Sequence, residues 1–335
     1  MSVNERNTSM PAVVGAGRAG QPPRQRLIWL AGISLVLIVI FMTINLGSNL
    51  RYIMVHRGLI LSTMLLVAFA ASASTVLFQT VTNNRVLTPS IMGFEMLFIL
   101  IQMVLVFIFG SGGIPGLGIA GKFVFETVLL VLFAAILYRW LFTGSRDNLH
   151  LVLLVGIICG TLFRSMSNLM QRLLTPSEFA VVQGRMFATF TRAAPELIAL
   201  SAIITVLVAL VIWRMRFRFD VLALGRNTAI NLGMDYKRSV TIILLLVSVL
   251  VAISTALVGP LTFLGFMVAN LAYLVLGSGQ HRLLLTGAFL LAVIALVGGQ
   301  LVLEHLLNMA GALSVVIEFI GGSLFILLLL KKVSV

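Results

Sequence analysis

The sequence predicts an all-α polytopic membrane protein of about ten transmembrane helices, with both termini in the cytoplasm. Three observations carry that prediction. Of 335 residues, 60% are hydrophobic and only 10% are charged, whereas a soluble domain carries about 25% charged residues. The apolar residues fall into runs of the length that crosses a bilayer, about 20 residues. The basic residues concentrate on one side of the alternation those runs impose.

Residues 1–26 are polar and rich in Gly, Pro and Arg, a composition that predicts a disordered cytoplasmic tail. The first apolar run lacks a cleavage site and reads as a retained span. The predicted spans are 27–47, 59–80, 90–110, 122–142, 149–169, 195–213, 239–258, 261–277, 283–303 and 312–330. Together 27–335 form one transmembrane domain. Between the seventh and eighth spans stand only Gly259 and Pro260. Such a break is tolerated at membrane depth only where it is buried in protein or lines a cavity. Between the fifth and sixth spans, Thr175 and Pro176 open a stretch with helical apolar spacing, expected to lie as a short helix at the outer interface. Pro89 to Phe94 and Pro260 to Phe266 share a Pro…Gly-Phe pattern, which hints at two related halves.

With the N-terminus inside, 16 of the 23 Lys and Arg face the cytoplasm and seven face out, a bias that supports N-in and C-in. The net charge of +13 then marks topology rather than nucleic-acid binding. The one cysteine, Cys159, lies within an apolar run. It rules out an internal disulfide and reads as a packing residue.

The hydrophilic segment 214–238 carries Arg214, Arg216, Arg218, Arg226, Lys237 and Arg238. Gly225, Ala229 and Gly233 recur every four residues, a spacing that stacks them on one helical face. A face of small residues lets another surface approach the backbone closely. The segment therefore reads as a docking element for a cytoplasmic partner.

A source of energy within the chain is not visible. Residues 116–122, GLGIAGK, fit two nucleotide motifs on paper, but position 123 is Phe rather than Ser or Thr and no βαβ unit surrounds them. His56, His150, His281 and His305 lie far apart near span ends. They lack metal-ligand spacing and read as interfacial anchors. Glu95, Glu126, Glu196 and Glu318 lie near span ends, where pairing or snorkelling accounts for them better than a proton relay. No catalytic set and no metal or cofactor site on this chain is expected.

The chain resembles the permease subunits of iron–siderophore ABC importers, the family that includes the vitamin B12 permease. LALGRNTAINLG (222–233) resembles the family's cytoplasmic motif, and VTNNRVLTPSIMGF (81–94) the segment after the second span. VGPLTFLGFMVANLAYLVLG (258–277), QHRLLLTGAFLLA (280–292) and GGSLFILLLLKK (321–332) follow in family order. The chain departs from the family at Ala269 and Asn270, where Pro-His is frequent, at Ser323, where Pro is usual, and at AGALSVV (310–316). These departures, with MQRLLTPSEF (170–179) and FATF (187–190), resemble the catecholate and petrobactin branch.

The resemblance implies a bacterial cytoplasmic (inner) membrane protein that works as a homodimer or heterodimer of permeases. It implies two cytoplasmic ATPase subunits, which bind the ATP and magnesium, and an extracytoplasmic siderophore-binding protein. The ATPase-coupling residues would be Leu222, Leu224, Gly225, Arg226, Ala229, Leu232 and Gly233. Arg57, with Arg51 nearby, would dock the binding protein; the family's second docking arginine is absent, with Glu304 and His305 in its place. The fifth and tenth spans, with Gly156, Gly160, Gly321, Gly322 and Ser323, would line the translocation path. Two rival readings remain: an ion-coupled secondary carrier and a non-transporting membrane scaffold.

Overall fold

The computed structural model describes residues 22–45, 49–110, 112, 116, 118–143, 149–190, 194–308 and 311–333. Most of the expected N-terminal tail lies outside the described residues; the first helix begins at Pro23, four residues earlier than the expected span. Among the described residues the fold is helical throughout, with no strand. The helices are α1 (Pro23–Thr43), α2 (Leu50–Thr82), α3 (Phe94–Phe109), α4 (Ile119–Thr143), α5 (Leu149–Leu173) and α6 (Pro176–Met186). They continue as α7 (Pro195–Leu222), α8 (Arg226–Asn231), α9 (Tyr236–Val258), α10 (Leu264–Leu276), α11 (His281–His305) and α12 (Leu313–Val333). A 3-10 turn over Pro89–Met92 precedes α3.

Each predicted span falls on one helix, and α6 and α8 are the two short extras. By length and composition, α1, α2, α4, α7, α9 and α11 can each cross a bilayer. Helices α3 and α10, with 16 and 13 residues, are shorter than a full crossing. Both follow an irregular approach segment.

Helix α2 runs through the centre. Its middle, Ala68 to Thr75, is almost entirely small residues, and Ala68, Ala70, Ser72, Ala73, Ser74 and Thr75 are all buried. Small side chains bring neighbouring backbones close where apolar burial alone gives little drive between helices. Their hydroxyls are satisfied locally: Ser72 Oγ donates to Ala68 O at 2.6 Å. Helix α2 packs on α9 and α11, while α9 packs on α2 and α4. Helices α1, α5, α7 and α12 stand outside and expose large apolar residues such as Ile158, Ile203, Leu210 and Phe319.

The two irregular approaches meet inside the bundle. Thr262, just before α10, donates to the Glu95 carboxylate in the first turn of α3, and Glu95 is buried. The two members of the Pro…Gly-Phe echo differ locally: Gly93 is a positive-φ residue that follows a 3-10 turn, whereas Gly265 lies within α10. Gly93, at φ +87°, abuts Gly160 of α5, and Gly265 abuts the backbone of α2 at Ala71.

Side-chain contacts sort the ends of the bundle. At one end lie the start of α1, the ends of α2, α7 and α10, the starts of α9 and α11, and α8. There Arg26 Nη1 donates to Val275 O at 2.7 Å, closing the carbonyl end of α10, and the Arg85 guanidinium lies 4.3 Å over the Tyr273 ring. At the opposite end lie α6, the end of α1 and the start of α2. Thr189 N–H donates there to Val258 O at 3.0 Å, so the chain leaving α6 seals the break before α10.

Candidate coupling site

Helix α8 hangs between α7 and α9 at the basic end. It is six residues long, bounded by Gly225 at φ +92° and Gly233 at φ +80°. Both angles favour glycine because a Cβ would strain the backbone. The C-terminal turn is a Schellman motif: Met234 N–H donates to Ala229 O at 3.1 Å and Gly233 N–H to Ile230 O at 2.9 Å. Asp235 then caps α9 by accepting from Arg238 N–H at 3.1 Å.

This geometry corrects the expected face of small residues. Gly225 and Gly233 lie outside the helix as turn residues, and Ala229 is fully buried beneath it. The period of four records a short helix between two turn glycines, seated on an alanine. The helix exposes Arg226, Asn227, Thr228, Ile230 and Asn231, and among its apolar neighbours Leu224 and Leu232 in the flanking turns are 59% and 61% exposed, beside Ile230 at 46%. Leu222, by contrast, belongs to the core. Arg226 is exposed, with its guanidinium 5.8 Å over the Tyr236 ring. A hollow of about 400 Å³ beside α8 is lined by Arg218, Leu232, Gly233 and Arg238.

The root of α8 is tied into the bundle by residues that sequence reading assigned no such role. Asp220, two residues before the end of α7, accepts at Oδ1 from the His281 backbone N–H at 2.8 Å and lies 2.7 Å from its Nδ1. His281 Nε2 lies 2.7 Å from Thr80 Oγ1 near the end of α2. His281 is therefore a buried connector between three helices, not the interfacial anchor expected from its position near a span end. The only signal in the sequence was an acid at the end of one apolar run and a histidine at the start of another.

Of the P-loop look-alike, Ile119 to Lys122 are helical rather than part of a loop. Lys122 sits in the first turn of α4 and pairs with Glu126 at 3.6 Å. Among the described residues no group of His, Cys, Asp and Glu is arranged to hold a metal.

The FecCD transport family matches residues 30–331, nearly the whole chain. The chain belongs to this family. It is 43% identical over 309 residues to the petrobactin import system permease protein YclO of Bacillus subtilis, covering 92% of this chain and 98% of that protein. It is 40% identical over 269 residues to the petrobactin import system permease protein FatC of Bacillus anthracis, covering 80% and 76%. In three dimensions it resembles a metal-chelate type ABC transporter solved in an inward-facing conformation. That TM-score is 0.80 at 20% identity, over 92% of this chain and 99% of the other, which supports the shared fold.

Several residues that the FecCD resemblance assigned to docking or to the path are engaged in packing. Arg57 Nη1 donates to Phe41 O at 2.8 Å and also to Ile44 O, and its guanidinium lies 5.7 Å from the Phe41 ring. It closes the carbonyl end of α1, where a cation also opposes the helix dipole. Arg51 is exposed. Replacing Arg57 with alanine is therefore expected to lower stability by about 1–2 kcal/mol, read as a lower melting temperature of the purified chain. Arg51→Glu is expected to leave that temperature unchanged. An unchanged melting temperature in Arg57→Ala would remove the capping role.

Gly156 and Gly160 are buried. A Cβ on Gly93 would lie 2.7 Å from Gly160 Cα and 3.4 Å from Gly156 O, so these glycines make room for the turn before α3. Gly321 is likewise packed against Met267 and Phe263, whereas Gly322 has open space and Ser323 is exposed. On α5 the open face carries Ile157, Ile158, Leu162 and Met166 instead.

Near the seal over the α10 break, α6 begins with a capping box: Glu178 N–H donates to Thr175 Oγ1 at 3.4 Å, and Thr175 N–H returns to Glu178 Oε2 at 3.0 Å. The Thr175 backbone N–H, followed by its hydroxyl, holds the Glu178 carboxyl below its usual range. The box's contribution is present above the ordinary glutamate pKa and is lost as acid titrates the carboxylate.

Proposed function

We propose that this chain is the membrane permease of an ATP-driven importer that carries ferric siderophores, of the petrobactin type, across the bacterial cytoplasmic membrane. The observation that carries the reading is α8. It is a short helix held by two turn glycines, standing on a basic end of the bundle, with three exposed apolar side chains on it and its flanking turns. A soluble partner with an apolar groove matches it, and surrounding arginines would steer an acidic rim. The 43% identity to a petrobactin import permease supports the cargo class.

In this reading the basic end faces the cytoplasm, and each of two ATPase subunits takes one α8. The ATP and magnesium sit on those subunits, and a second permease, the same chain or a different one, completes the path. On the outer side, the α6 end and Arg51 meet a siderophore-binding protein. Selectivity lies largely with that protein, since the iron arrives already wrapped.

Proteoliposomes holding this chain with its partner permease and ATPase, supplied with loaded binding protein, should take up ferric petrobactin only when ATP is present. Dissipating the proton gradient should leave uptake intact. Uptake without ATP that ends with the gradient would establish the secondary carrier. ATPase binding without uptake under any condition would establish the scaffold.

A further inference from the structure

The end of α7 has a polar attachment that the proposed function does not by itself require. Asp220 reaches across to α11, where one carboxylate oxygen takes both the first backbone N–H of that helix and the ring Nδ1–H of His281. The far side of the ring meets the Thr80 hydroxyl of α2, whose oxygen lies 2.7 Å from Nε2 and 2.8 Å from Val76 O. Phe219 packs edge-on against the His281 ring, centroids 5.9 Å apart. His281 and Thr80 are buried, 2% and 6% exposed, while the Asp220 side chain is 39% exposed. The three residues are 61 and 201 positions apart in sequence, so the bonds join separate parts of the bundle.

The placement is mechanical. Helix α7 is peripheral: Ile203, Val206, Leu207, Leu210, Trp213 and Phe217 all face outward. A displacement of α8 reaches α7 first, through the turn after Leu222. Outward-facing apolar residues slide on lipid and transmit little. A charged hydrogen bond into a helix N-terminus, backed by a buried ring, resists separation more strongly than apolar contact. It lies within one helical turn of the end of α7. Its other end is α2, a largely buried helix that packs on α9, α10 and α11.

We infer that Asp220, His281 and Thr80 form a strut that carries movement of α8 from α7 into α11 and α2, so that Asp220 and His281 are positioning residues for transport. This rests on the reading that an ATPase docks on α8. A strut of this kind acts after docking. Removing it should leave the ATPase bound and hydrolysing while transport stops following hydrolysis.

The test uses the complete importer in proteoliposomes and measures three quantities: ATPase retained on the purified membrane subunits, ATP hydrolysed, and ferric siderophore taken up. Asp220→Ala and His281→Ala are expected to cut uptake per ATP about tenfold, a typical size for coupling between sites, with ATPase retention unchanged. The double variant should lose no more than either single one, because both remove the same link. Asp220→Asn keeps the side-chain shape and His281→Gln keeps a polar group near the Nε2 position; they serve should the alanine variants fold poorly and should show a smaller loss of the same kind. Uptake and hydrolysis falling in proportion, or uptake per ATP unchanged in all variants, would overturn the strut. A wild-type complex that shows no ATP-driven uptake would sink the importer reading and the strut with it.

Discussion

Replacing Leu232 with glutamate is expected to abolish ATP-driven uptake by releasing the ATPase, while the membrane subunit stays folded. Leu232 is 61% exposed, so the substitution removes little from the protein's own packing. In a docked complex the same side chain would be an apolar anchor. Losing such an anchor costs about 2 kcal/mol of association, roughly thirtyfold in affinity. Placing a carboxylate in an apolar groove adds to that cost. The measurement is the amount of ATPase that co-purifies with the detergent-solubilised chain, beside the melting temperature of the chain alone. Co-purification at the wild-type level would mean that α8 does not dock through this face. Ala229→Trp is the wrong probe: Ala229 is fully buried, and an indole there would push α8 off the bundle before any partner arrived.

The largest effect on stability is expected from Gly93→Val. Gly93 adopts φ +87°, and a Cβ there would lie 2.7 Å from the Gly160 Cα, a backbone atom that cannot swing aside. The left-handed conformation costs a residue with a Cβ about 1–2 kcal/mol, and overpacking a tight site adds about 1–3 kcal/mol. Yield in the membrane and melting temperature should both fall sharply. Gly225→Ala is the matched control: it has a similar positive φ, +92°, but nothing within 4 Å of the added Cβ. It should cost only the conformational part. A Gly93→Val chain that melts like the wild type would mean that the turn before α3 does not hold α5 at this distance.

These residues separate what is legible in a sequence from what is not. The runs of about 20 apolar residues placed a helix under each predicted span, because backbone polar groups in lipid are satisfied within a helix and few alternatives exist. The glycines themselves were visible, and Gly93, Gly225, Gly233 and Gly259 all take positive φ. Their purpose was not. Gly225, Ala229 and Gly233 share a period of four in the sequence, but periodicity cannot distinguish a face of small residues from a short helix between two turns. The glycines of α5 had the same ambiguity and proved to be packing partners of Gly93. Arg57 and Arg26 read as surface charges, and both cap helix ends.

By itself the sequence determined the class of the protein, the order of its helices and the family whose motifs it carries. Those properties depend on composition and on spacing within one helix, which are local. Only the tertiary structure decided that Leu224, Ile230 and Leu232 are exposed in and beside α8 while Ala229 is buried beneath it. It alone brought Asp220, His281 and Thr80 together. The physical reason is the same in each case. Which side of a short helix faces out, and which distant groups share a hydrogen bond, depend on how separate helices pack. A pattern along one chain segment does not record the position of its neighbours.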